Sequence, residues 1–122
     1  MALNVEVSNE QSIQEAFKSA INKYSTPPTI IVNSAGITRD QFILKLTNED
    51  FTKVLDVNLK GTFYVIQTAV KEIVNANTGI GSTIVNVSSI IGKIGNMGQA
   101  NYAASKAGVI ALTQTASLEF GQ

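Results

Sequence analysis

"TIIVNSAG", Thr29 to Gly36, decides how the rest of the chain is read. Ile30, Ile31 and Val32 follow one another with no polar residue between them. A β-branched run of this kind suits a strand covered on both faces, as in parallel sheets. The run stops at Asn33, and Gly36 marks a loop. Upstream, Thr26–Pro28 ends whatever precedes it, because proline cannot continue a helix. That preceding segment carries Ile13, Ala16, Phe17, Ala20, Ile21 and Tyr24 on one helical face. Ser8 and Gln11 stand at its start with the spacing of a capping box. Before them, "LNVEV" (Leu3–Val7) is short, apolar and β-rich, and reads as a strand.

Downstream, "TNED" (Thr47–Asp50) opens a helix whose apolar positions run from Phe51 to Val74. Gly61 interrupts it and predicts a local distortion with a backbone group to satisfy, while Asn58, an unusual mid-helix amide, reads from pattern alone as a solvent-facing asparagine. "TGIG" (Thr78–Gly81) precedes a strand and reads as a turn, not as a phosphate loop. "TIVNV" (Thr83–Val87) is a second buried-type strand, "SSIIGKIGNMG" a glycine-punctuated loop, and Asn101 to Phe120 a helix rich in small residues. Strand and helix alternate three times. The expectation is an α/β fold with a doubly wound parallel sheet, three strands present and helices on both faces. Doubly wound sheets carry more strands, so the chain reads as part of a larger one.

Composition narrows the chemistry. The 122 residues are 44% hydrophobic and 15% charged, with nine basic and nine acidic side chains. Zero net charge and scattered lysines form no basic stripe, which argues against nucleic acid as a partner. No apolar run approaches about 18 residues, so no membrane span is expected. There is no histidine and no cysteine. Thiolate chemistry, a Ser-His-Asp triad and a histidine-ligated zinc site are excluded within these residues, and no metal site is expected.

Ligands of open parallel sheets sit beyond the carboxyl ends of the strands. Ser88 and Ser89 lie at such an end. Tyr102 and Lys106 follow one turn apart on the next helix, so both project from one face. An ammonium close to a phenol favours the phenolate, and a phenol so tuned exchanges protons with a carbonyl or hydroxyl. Ser89 can hold the same oxygen by a hydrogen bond. Spacing alone favours the plainer reading, a half-buried tyrosine beside a solvated lysine, because this spacing is common on helices. The small neighbours Ala100, Ala103, Ala104, Ser105, Ala107 and Gly108 fit either close approach of a ligand or plain tight packing.

"NSAGITRD" (Asn33–Asp40), "DVNLKGTF" (Asp56–Phe63) and "NVSSIIGKIGNMGQANYAASKAGV" (Asn86–Val109) together resemble the short-chain dehydrogenases/reductases, most nearly their β-ketoacyl-ACP reductase branch. The resemblance covers essentially the whole chain and implies part of a Rossmann-like domain. Tyr102 then matches the proton donor or acceptor. Lys106 matches the lysine that supports the phenolate and holds the nicotinamide ribose. Ser89 matches the serine that orients the substrate oxygen, and Asn58 the asparagine that holds a water on the proton relay. Asn33, Ala35 and Gly36 match the N-x-A-G segment under the adenosine half of the cofactor, and Glu6 and Val7 the pair that contacts adenine. Ser34 replaces the family's second asparagine, and Glu6 its usual aspartate.

The resemblance implies NAD as cofactor, with NADP open, and a 3-oxoacyl or 3-hydroxyacyl thioester or a hydroxysteroid as substrate. It also implies a homo- or hetero-tetramer built on helices 48–76 and 101–120, and a place in the mitochondrial matrix, with the cytoplasm open. The family's T-G-x-x-x-G-x-G phosphate loop is not among the 122 residues. Residues 1–122 are thus expected to form the central part of one NAD(P)-binding domain. The rival expectation is a truncated chain without activity whose two long helices bind a full-length reductase subunit.

Overall fold

In a computed structural model, residues 1–121 are described. Helix α1, Glu10–Tyr24, starts at Asn9, whose extended backbone lets its side chain accept the Ser12 N–H at 3.3 Å. The cap falls one residue later than the expected Ser8. Ser8 donates both its N–H and its hydroxyl to the Glu6 carboxylate, at 3.1 and 2.7 Å, and so is not available to the helix. The helix closes on Ser25 in the left-handed conformation, just before Thr26–Pro28.

Strand β1, Ile30–Asn33, pairs in parallel with β2, Thr83–Asn86, in the register Ile30↔Thr83 to Asn33↔Asn86. Between them run α2, Asn48–Leu55, a wide π-turn, Asp56–Lys60, and α3, Gly61–Asn75. Thr47 caps α2, its hydroxyl accepting the Asp50 N–H at 3.1 Å. The distortion expected near Asn58 is the π-turn itself. Gly61 N–H reaches back to the Asp56 carbonyl, one residue further than an α-helix allows.

Two expectations are corrected. Among the described residues the sheet has two strands, not three. Leu3–Val7 is not a strand: a strand is defined by ladder bonds to a neighbour about 4.8 Å away, and β1 pairs with β2 alone. Val7 packs instead on Gly61. The sheet is also covered on one face only. Ile31 is 8% exposed, whereas Ile30 and Val32 on the other face are 72% and 59% exposed. Apolar side chains on both faces state a need for cover; only packed elements supply it, and α3 and α5 both lie on the Ile31 side.

The glycine-punctuated segment after β2 is not all loop. Ile91–Ile94 forms the short helix α4, which packs on α5, Ala100–Phe120. Ser89 starts it, its hydroxyl accepting the Ile91 N–H at 3.2 Å. Thr78–Gly81 is a turn, as expected. No helix among the described residues is long and apolar enough to cross a membrane.

Candidate active site

The site forms where the loop after β1, the π-turn and the first turns of α5 meet. Lys106 is 5% exposed, and its Nζ donates to the Val87 carbonyl at 2.8 Å, just past the end of β2. That bond aims the amine across the strand ends. Gly36, from the loop after β1, comes so near that a Cβ there would lie 3.6 Å from Nζ and 3.4 Å from Asn58 Oδ1. The Lys106 Nζ is also 5.8 Å from the centre of the Tyr102 ring. Gly36, Asn58, Tyr102 and Lys106, widely separated in sequence, are thus brought together. Burial pushes the Lys106 amine below its ordinary value of 10.5.

Asn58 is fully buried. Its Oδ1 accepts the Ile37 N–H at 2.8 Å, and its Nδ2 donates to the Ile37 carbonyl at 2.9 Å and to Ser105 Oγ at 3.1 Å. The amide therefore ties the β1 loop to α5. The π-turn is what points it inward, and the Asn58 carbonyl accepts the Thr62 hydroxyl at 2.8 Å.

The paired serines divide. Ser88 donates its hydroxyl to the Lys106 carbonyl at 2.9 Å and is thereby fixed to the α5 backbone. Ser89 Oγ accepts a backbone N–H, which leaves its own proton free to be donated.

Among the expected cofactor contacts, Val7, Asn33 and Ala35 line one cleft of about 350 Å³ beside β1, together with Ser34. Glu6 does not line it. Its exposed carboxylate is held by Ser8, and those hydrogen bonds lower its pKa from the ordinary 4.5. The Asn33 side chain turns to the covered face of the sheet. It donates to Asn86 Oδ1 at 2.8 Å, and Asn86 Nδ2 donates to Thr113 Oγ1 at 2.9 Å. The amide thus joins both strands to α5, while the Asn33 backbone borders the cleft.

Sequence reasoning missed Asn101 and Ser105, both fully buried. Asn101 Nδ2 donates to the Arg39 carbonyl at 2.8 Å, and its Oδ1 accepts the Tyr102 N–H at 2.8 Å. The available signal was a polar amide next to Tyr102 at a helix start, where N–H groups need partners. Ser105 was read only as one more small residue.

A buried lysine beneath a tyrosine thus lies at the strand ends, with a serine on the segment between β2 and α4. The chain belongs to the short chain dehydrogenase family, whose model matches residues 1–122. Among its relatives, the "(3R)-3-hydroxyacyl-CoA dehydrogenase" of Mus musculus is 50% identical over 121 residues, 99% of this chain and 46% of that protein. The Homo sapiens protein of the same name is 47% identical over the same share of each. The "3-oxoacyl-[acyl-carrier-protein] reductase FabG" of Thermotoga maritima is 45% identical over 109 residues, 89% of this chain and 43% of that one. The chain therefore spans less than half the length of these relatives.

Proposed function

We propose that residues 1–122 are the central, catalytic part of an NAD(P)-dependent reductase or dehydrogenase acting on a 3-oxoacyl or 3-hydroxyacyl thioester. The observation that carries this is the buried Lys106 amine set against Gly36, Asn58 and the Tyr102 ring. In the reducing direction, Tyr102 gives its phenolic proton to the substrate oxygen as the carbonyl carbon becomes a C–H centre. Ser89 donates a hydrogen bond to the same oxygen and stabilises the negative charge that develops there. Lys106 supports the phenolate that remains. In the oxidising direction the phenolate takes the proton back.

The residues fit one part of the dinucleotide. The cleft along Val7, Asn33 and Ala35 can take an adenosine edge, and the lack of a side chain at Gly36 lets the loop beside it approach Asn58 and Lys106. The nicotinamide, when bound, supplies or accepts the hydride. NAD is the favoured form, with NADP open, and the proposed compartment is the mitochondrial matrix.

The test is Tyr102→Phe, assayed as absorbance change of the reduced nicotinamide with a 3-oxoacyl thioester. Loss of the proton donor should lower kcat by about 100-fold or more. Turnover within a few-fold of the parent refutes the assignment. One observation favours a second reading, a chain without activity whose two long helices dock on a full-length reductase: Phe63 and Val74 of α3 and Leu118 and Phe120 of α5 stand exposed. Micromolar NAD binding by the 122-residue chain alone counts against that reading.

A further inference from the structure

Tyr102 is held at both of its backbone polar groups by side chains that reach the same loop. Its N–H donates to Asn101 Oδ1, and the Asn101 amide donates in turn to the Arg39 carbonyl. Its carbonyl accepts the Ser105 hydroxyl at 2.8 Å, Ser105 accepts from Asn58, and Asn58 takes both polar groups of Ile37. Two further bonds run alongside: Gln41 N–H to the Gly98 carbonyl at 2.8 Å, and Gln99 Nε2 to Asp40 Oδ2 at 3.0 Å.

Helical geometry alone does not demand these bridges. The Tyr102 N–H lies in the first turn of α5, where no intrahelical carbonyl is available, and water would serve an exposed group equally well. Burying Asn101 and Ser105 completely makes sense only if each polar atom has a fixed partner, because an unpartnered buried group is costly. Both are fully satisfied, and both bridges end on the segment Ile37–Arg39, which continues directly from Ser34–Gly36.

We propose that Asn101 and Ser105 are positioning residues, which fix the Tyr102 backbone to the Ile37–Arg39 loop so that the loop beside the dinucleotide cleft and the proton donor move as one body. The inference rests on the catalytic reading of Tyr102. It adds that the tyrosine's place is set by two side-chain brackets as well as by its helix. Displacement of a reacting group by about 1 Å costs on the order of 100-fold in rate, so brackets of this kind matter for turnover.

The experiment uses the 122-residue chain labelled with 3-fluorotyrosine, which gives resonances for its three tyrosines, Tyr24, Tyr64 and Tyr102. Each is assigned by substitution with phenylalanine. Ser105→Ala and Asn101→Ala should each shift or broaden the Tyr102 resonance and leave those of Tyr24 and Tyr64 in place. Ser105→Thr, which keeps the hydroxyl, should restore it. Thr38→Gly, which loosens the loop, should move the Tyr102 resonance in the parent but not in the Asn101→Ala/Ser105→Ala double variant.

A Tyr102 resonance unmoved in folded Ser105→Ala overturns the proposal, and so does a change shared by all three tyrosines. Should Asn101→Ala not fold, Ser105→Ala decides. With a preparation that turns over, kcat should fall about 10- to 100-fold while KM stays within a few-fold. If Tyr102→Phe leaves turnover intact, the catalytic reading fails on its own, and the fluorine spectra still report whether the brackets hold Tyr102.

Discussion

Gly92→Ala tests how α4 is seated against the helix that carries Lys106. A Cβ at Gly92 would lie 2.7 Å from the Ala107 nitrogen and 2.7 Å from the Lys106 carbonyl carbon. Both obstacles are backbone, so no side-chain rotation relieves the clash, and α4 must move off α5. Overpacking of this kind costs about 1–3 kcal/mol, and backbone obstacles place it near the upper end. Replacing glycine in a helix returns at most about 1 kcal/mol. The net loss is about 2 kcal/mol, close to a thirtyfold change in the folding equilibrium.

Gly108→Ala is the control. Its Cβ would also meet neighbours closer than 3.0 Å, but both are methyls at the flexible end of Leu59, Cδ2 at 2.7 Å and Cδ1 at 2.9 Å. Turning a leucine tip costs about 0.5–1.5 kcal/mol, which the helix gain of about 1 kcal/mol offsets. With a urea slope of about 1.5 kcal/mol per M, Gly92→Ala should lower the midpoint by about 1.3 M and Gly108→Ala should barely move it. Equal midpoints for the two variants would refute the argument that backbone contact, and not distance alone, decides the cost.

Three further outcomes follow from named contacts. Burial holds the Lys106 amine below 10.5, so the folded chain binds fewer protons than the unfolded chain between the lowered value and 10.5. Stability should rise with pH across that window relative to Lys106→Met, and urea midpoints whose difference does not change with pH would contradict it. Thr113→Val leaves Asn86 Nδ2 without its partner and should cost about 1–3 kcal/mol by urea titration, whereas Thr113→Ser should stay near the parent. Ser8→Ala should move the Glu6 titration, followed by carbon NMR, upward towards 4.5, with the Ser8 N–H still holding part of the lowering. The small stability that Ser8 lends Glu6 is present above pH 4.5 and disappears as the pH falls through the lowered value.

The sequence by itself determined roughly where the elements lie and which residues are candidates for chemistry. Ile30–Asn33 and Thr83–Asn86 announce themselves as strands because β-branched runs are local signals. The disturbed helix around Asn58 was legible for the same reason: an amide and a glycine interrupt an otherwise apolar pattern. Tyr102, Lys106, Ser89 and Asn58 were legible as a set because their order and spacing match a family motif.

Only the tertiary structure decided what those residues touch. Leu3–Val7 has strand composition yet forms no strand, since a ladder needs a neighbour that composition cannot name. Ser8 has the spacing of a cap, yet Glu6 takes its hydroxyl and Asn9 caps instead. Asn33 borders the cleft beside β1, and only the structure shows that its amide also joins Asn86 across the sheet. Ser105 carried no signal beyond its size and polarity, and Asn101 only its place at a helix start. Their roles arise from partners 62 residues away at Arg39 and 47 residues away at Asn58. A hydrogen bond reports a meeting of two places in space, and a one-dimensional pattern records periodicity and order but not which distant groups will meet.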